Sequence, residues 1–172
     1  GDEAGSTGTI LTFFPWTDAH PGRVGAGMIE SIAFTVPPDS LDFWRERLTR
    51  AGVAVSERAP VFGEAGVRFS DPDGMEIELV VRARTEHAIH PWTRKVPGDR
   101  AIRAFHGATQ RVRDAAPTDR FLRDTLGFTL IGEDAFRRGY RSSESGIGVL
   151  DLTRAGSLFE PHAPPLHGRS EA

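Results

Sequence analysis

Asp42-Phe43-Trp44-Arg45, followed by Leu48, has a counterpart later in the chain: Arg120-Phe121-Leu122-Arg123, followed by Leu126. Leu41, Trp44 and Leu48 fall at i, i+3 and i+7, which is one face of a helix. Pro37-Pro38 stops whatever precedes that helix, and Asp39 or Ser40 can cap it. Gly52 suits the position just past its end, where the backbone turns left-handed. In the second copy Pro117 suits the first helical turn, Phe121, Leu122 and Leu126 supply the apolar face, and Gly127 ends the helix. Working outward, Met28–Val36 reads as a strand before the first helix. Strands starting at Val53, over 66–70 and over 75–81 follow it. Asp71-Pro72-Asp73-Gly74 is a tight turn by composition. Around the second helix the order recurs: strands over 102–112, 128–131, 136–142 and 147–152, the last two joined by Ser143-Glu144-Ser145-Gly146. Two units, residues 28–83 and 102–152, therefore share the order βαβββ. Neither can bury its sheet alone, so the two are expected to pack together.

Outside the repeat, Thr9-Ile10-Leu11-Thr12-Phe13-Phe14 is β-branched and aromatic and reads as a further strand. Residues 17–27 read as a linker, 84–101 as a polar connector, and the proline-containing segment 153–172 as an extended or disordered tail. The 172 residues carry 38% hydrophobic and 26% charged side chains with a net charge of −3, an ordinary globular balance that gives no electrostatic footprint for nucleic acid. There is no cysteine, which excludes a disulfide scaffold, a thiolate metal site and a cysteine nucleophile. No apolar run approaches the ~20 residues of a membrane span. These features lead to the expectation of a cytoplasmic protein with neither nucleic-acid nor membrane partners.

Three stretches carry a family resemblance. Phe121-Leu122-Arg123-Asp124-Thr125-Leu126-Gly127-Phe128 resembles the helix end of the vicinal oxygen chelate superfamily. Ser70-Asp71-Pro72-Asp73-Gly74 with Glu78-Leu79 resembles its acidic hairpin. Residues 8–16, 40–48 and 102–109 resemble the glyoxalase-like, hydroquinone-type ring-cleaving dioxygenases. The resemblance implies an α+β fold in which tandem βαβββ modules form a cupped mixed sheet. Such enzymes have four modules. Residues 1–16 would then be a remnant of a first module, 28–83 the second and 102–152 the third, and the chain would be an internal fragment.

The resemblance also implies chemistry: two histidines and one carboxylate holding Fe(II), with vacant positions for an aromatic diol and O₂. In the family the histidines stand on first strands, five residues before the closing valine, and the carboxylate stands on a fourth strand. Counting back from Val36 reaches Ser31, and from Val112 reaches Gly107. Neither supplies an imidazole. Glu78 alone matches a ligand position. The expectation is therefore a supporting module pair with no metal or other cofactor of its own and no identifiable catalytic residue. Its partners would be missing modules or a second copy of the chain.

Glu78 is a candidate residual ligand, and Glu76 accompanies it on the same strand face; the plainer reading of Glu78 is a carboxylate paired with arginine. His106 is the other candidate, but strand alternation turns it away from the face of Gly107 unless a bulge intervenes. His87 and His90 have chelating spacing without a third ligand or a supporting helix. His20, His162 and His167 read as solvated, and Trp44 as core. Phe13, Phe14 and Trp16 form an aromatic cluster, and Gly5, Gly8, Gly25 and Gly27 make no phosphate loop. Two other functions remain open: a small-molecule-binding protein of the same fold, and a glyoxalase-type lyase.

Overall fold

The computed structural model describes residues 2–6, 9–15, 17, 18, 20, 22–82, 90–142 and 148–154. The chain runs β1 (Ile29–Val36), α1 (Leu41–Arg50), β2 (Ser56–Val61), β3 (Glu64–Ser70), β4 (Glu76–Val81), β5 (Ala104–Val112), α2 (Ala115–Arg120) with a π-helical turn over Phe121–Thr125, β6 (Thr129–Glu133), β7 (Arg137–Arg141) and β8 (Val149–Arg154). The fold is α+β, as the repeat predicts. All eight strands join one curled mixed sheet in the order β2-β3-β4-β1-β5-β8-β7-β6. Within each unit the first strand runs parallel to the fourth, and the two units meet through the antiparallel pair β1–β5.

Alternation along the strands sends apolar side chains to the helical face. There Val36, Val67 and Leu79 pack with Trp44 of α1 in one cluster. Val112, Tyr140 and Leu152 pack with Leu122 in the other. Trp44 also donates from its indole nitrogen to the Arg100 carbonyl at 2.9 Å. Tyr140 donates to Asp119 at 2.7 Å, and burial together with that bond pushes the phenol up to about 12. The connector expected to be polar contributes two buried residues to the first cluster, Val96 and Ala101.

The helix ends follow the local chemistry. Gly52 and Gly127 both take positive φ, 77° and 67°, just past their helices. Asp114 caps α2 by accepting from the Ala116 amide at 3.0 Å. Ser40 occupies the cap position of α1, but its buried hydroxyl makes no capping bond.

Three expectations are corrected. Residues 9–15 form no strand: among the described residues no strand pairs with them, and Ile10, Phe13 and Phe14 are exposed. The second strand begins at Ser56 rather than Val53. Strand β8 continues to Arg154, where a tail was expected, because Thr153 and Arg154 pair with Arg111 and Val112. The remainder of that tail, with His162 and His167, lies outside the described residues, as do Gly8, Trp16, His87 and residues 143–147.

The turn between β2 and β3 reaches across the cup. It has two residues, Phe62 (φ 50°) and Gly63 (φ 82°), both left-handed as a tight hairpin of the sheet's own twist requires. A phenylalanine in that region is strained. Its ring nevertheless crosses the cup to lie on Gly132 of β6 and Gly139 of β7, so close that a Cβ on either glycine would fall 2.4 or 2.3 Å from it. The two distant edges of the sheet are thus joined by one aromatic ring.

Candidate functional site

The concave face opposite the helices is lined with charge. Glu78 projects from β4 and is 1% exposed. Arg58 of β2 donates from Nε to its Oε2 at 2.5 Å, and Arg68 of β3 donates from Nη2 to its Oε1 at 2.7 Å. Ser31 of β1 donates to Oε1 at 3.5 Å. Burial alone would push the Glu78 carboxyl up; the charges and hydrogen bonds of Arg58 and Arg68 outweigh it and hold the group below the ordinary carboxylate range. Glu76, on the same face and 3.2 Å from Arg68, moves the other way, raised by burial against the pull of Arg68.

The repeat places a second carboxylate in the equivalent position. Glu78 stands opposite Ala33, three residues before Val36, and Asp151 stands opposite Thr109, three residues before Val112. Asp151 is 5% exposed and accepts from Arg137 Nη1 at 2.9 Å. Burial raises its pKa despite the nearby charges of Arg137, Arg58 and His106. Sequence reasoning missed Asp151, although a signal was present: an acidic residue followed by leucine in both fourth strands, Glu78-Leu79 and Asp151-Leu152.

His106 also reaches this face, against the alternation argument. Ala33 pairs with Gly107 and Phe34 with Phe105, so one step on β1 matches two on β5 and His106 is the extra residue of a bulge. The bulge keeps His106 on the side of Gly107. Its Nε2 lies 3.0 Å from Glu64 Oε2, and the ring is 5% exposed. Glu64 is held at about 2, because the bond and charge of His106 and the charge of Arg82 overcome the rise from burial.

These residues do not fit a divalent metal. Both oxygens of Glu78 are occupied by guanidinium groups, and Ser31 offers only a neutral hydroxyl. Gly107 has no side chain and could not acquire one in place, since a Cβ there would lie 2.0 Å from the Val149 carbonyl oxygen. Among the described residues no three His, Asp or Glu side chains gather as a metal-holding group. His90 and His20 are exposed and belong to no strand of the sheet.

The comparisons follow the same lines. The chain is 35% identical over 153 residues to a Bacillus subtilis protein provisionally named ring-cleaving dioxygenase MhqO, covering 88% of this chain and 48% of that protein. It is 32% identical over 156 residues to the chlorohydroquinone/hydroquinone 1,2-dioxygenase of Sphingobium indicum, covering 88% and 48%. The crystal structure of a provisionally named dioxygenase of Bacillus subtilis superposes with a TM-score of 0.77 at 34% identity, over 86% of this chain and 47% of that one. The chain belongs to the vicinal oxygen chelate superfamily. No protein-family model matches it. Glyoxalase I of Zea mays superposes with a TM-score of 0.51 at 21% identity, over 76% of this chain and 43% of that one, a likeness of fold alone. The chain spans about half the length of the curated relatives it matches.

Proposed function

We propose that this chain is the supporting module pair of a metal-dependent ring-cleaving dioxygenase acting on an aromatic diol such as a hydroquinone or catechol, with O₂ as co-substrate. The observation that carries the reading is similarity to a hydroquinone dioxygenase across 88% of the chain, both βαβββ units included. The concave face supports the division of labour. Where the metal chemistry needs open imidazole and carboxylate donors, this chain has Ser31, Gly107 and a carboxylate locked between two arginines. A buried pair of that kind holds sheet strands together rather than offering a vacant ligand. In this reading residues 1–16 belong to a preceding module, and Fe(II) is held by modules outside this pair or by a second copy. A cytoplasmic setting suits a cysteine-free chain, and no helix among the described residues is long and apolar enough to cross a membrane.

The test is direct. The purified chain is given Fe(II) without oxygen, bound iron is measured, and oxygen uptake is then followed with hydroquinone and catechol. Substoichiometric iron and no uptake are expected. One iron per chain with turnover would overturn the supporting role. The same gene should encode histidine-bearing βαβββ modules beside this pair, and a reading frame without them would remove the dioxygenase assignment.

A further inference from the structure

Between the Phe62 turn and strands β5, β7 and β8 the cup holds a partly open cavity of about 250 Å³. Arg58, Glu64, His106, Arg141 and Asp151 line it. Three of its buried polar atoms have no hydrogen-bond partner: His106 Nδ1, Asp151 Oδ1 and Arg141 Nε. Each orphan costs about 1–3 kcal/mol if left dry, and buried polar atoms are rarely left so. Three in one small cavity indicate an occupant.

The occupant's chemistry follows from what remains unmet. Arg58 is paired with Glu78, Glu64 with Arg82 and His106, and Asp151 with Arg137. Among the described residues no carboxylate pairs with Arg141. The cavity therefore carries one guanidinium in excess and calls for a monoanion. His106 is bonded to Glu64 through Nε2, which leaves Nδ1 without a partner. Asp151 Oδ1 is an acceptor without a partner. A simple monoanion on Arg141 would leave both unmet, so the occupant also carries a hydroxyl, which can donate or accept. The remaining walls, Phe62, Ile131 and Val149, are apolar.

We propose that this cavity binds a small hydroxylated carboxylate, its carboxylate on Arg141, its hydroxyl at His106 Nδ1, and its carbon skeleton against Phe62, Ile131 and Val149. The site uses no metal and is independent of the ring-cleaving reading, so either can fail alone. Water is the competing occupant, since the volume would hold roughly eight molecules at their liquid share. Water, however, leaves the Arg141 charge unbalanced.

The experiment titrates the 172-residue chain calorimetrically with 2-, 3- and 4-hydroxybenzoate, with benzoate, and with hydroquinone. At least one hydroxybenzoate is expected to bind at submillimolar concentration, with benzoate and hydroquinone at least about tenfold weaker. Arg141→Met strands no carboxylate, so it should keep the fold, shown by an unchanged melting temperature, and lose the binding. Should that variant fail to fold, the wild-type chain still decides the matter: the ligand must shift the ¹⁵N resonance of His106 Nδ1. Hydroquinone binding as tightly as every hydroxybenzoate, binding unaffected in a folded Arg141→Met, or an unmoved His106 resonance would each overturn the proposal, as would water alone in the cavity at saturating ligand.

Discussion

Replacing Arg58 with methionine removes one partner of the buried charge cluster while nearly preserving volume. The structure sets the size of the effect. The Arg58 side chain is 2% exposed and makes two bonds, to Glu78 at 2.5 Å and to the Glu64 carbonyl at 3.0 Å. Stranding a buried charge costs about 3–5 kcal/mol. Arg68 still reaches Glu78, which places the expected loss near the lower end, about 3 kcal/mol. With a urea slope of about 2 kcal/mol/M, the midpoint should fall by about 1.5 M. In Arg58→Met/Glu78→Leu no stranded carboxylate remains, and most of the loss should return, short of about 1 kcal/mol for the Glu64 carbonyl. Acidity supplies a second readout. Glu78 has a folded pKa below its ordinary 4.5, so its stabilisation is complete above that value and disappears as the pH falls through the folded pKa. Arg58→Met removes one cause of the depression and keeps the burial, so acid unfolding should begin at higher pH. A single variant costing under about 1 kcal/mol, or a double variant no better than the single, would refute the claim that Arg58 exists to hold Glu78.

Three further outcomes are expected. Gly107→Ala forces a Cβ to within 2.0 Å of the Val149 oxygen and should cost at least about 2 kcal/mol in urea unfolding, whereas Gly22→Ala, with open space around it, should stay within about 0.5 kcal/mol. Tyr140 is the single tyrosine, so absorbance titration reports it alone. Its folded value of about 12 lies above the ordinary 10, so stability should decline as pH rises past 10, and no tyrosinate should appear before native near-ultraviolet dichroism is lost. Phe62→Ala should cost about 1–2 kcal/mol and speed amide exchange in β6 and β7; unchanged exchange there would mean the ring does not hold the curl.

Periodicity revealed most of the fold because the repeat states it twice. An apolar helix face and a glycine stop recur in each unit, and the alternation of β4 and β8 sorts one apolar face from one charged face. What failed was whatever depends on a distant neighbour. Thr9–Phe14 has the composition of a strand, yet a strand needs an edge to bond, and composition does not say whether one is within reach. Val53 looked like a strand start because it is β-branched, while the pairing with β3 begins only at Ser56. Val96 and Ala101 lie in a polar connector and are buried because they join the cluster around Trp44.

The candidate site divides along the same line. The count back from each closing valine reaches Ser31 and Gly107, and Ser31 meets Glu78 in the cup; pairing an arginine with Glu78 is what a buried carboxylate demands. The partners themselves come from β2 and β3, at separations no local pattern encodes. His106 shows the limit most clearly. Alternation sent it outward; one extra residue between Phe105 and Gly107 brings it inward. Gly107 supplies the physical reason. Its Cα runs against the Val149 carbonyl, so no side chain can enter the cup from that register position. The bulge delivers an imidazole from the adjacent residue instead. That imidazole arrives with Nε2 already committed to Glu64 and with Nδ1 buried and without a partner. A ring so held places a hydrogen-bonding group in the cup beside a register position that carries no side chain.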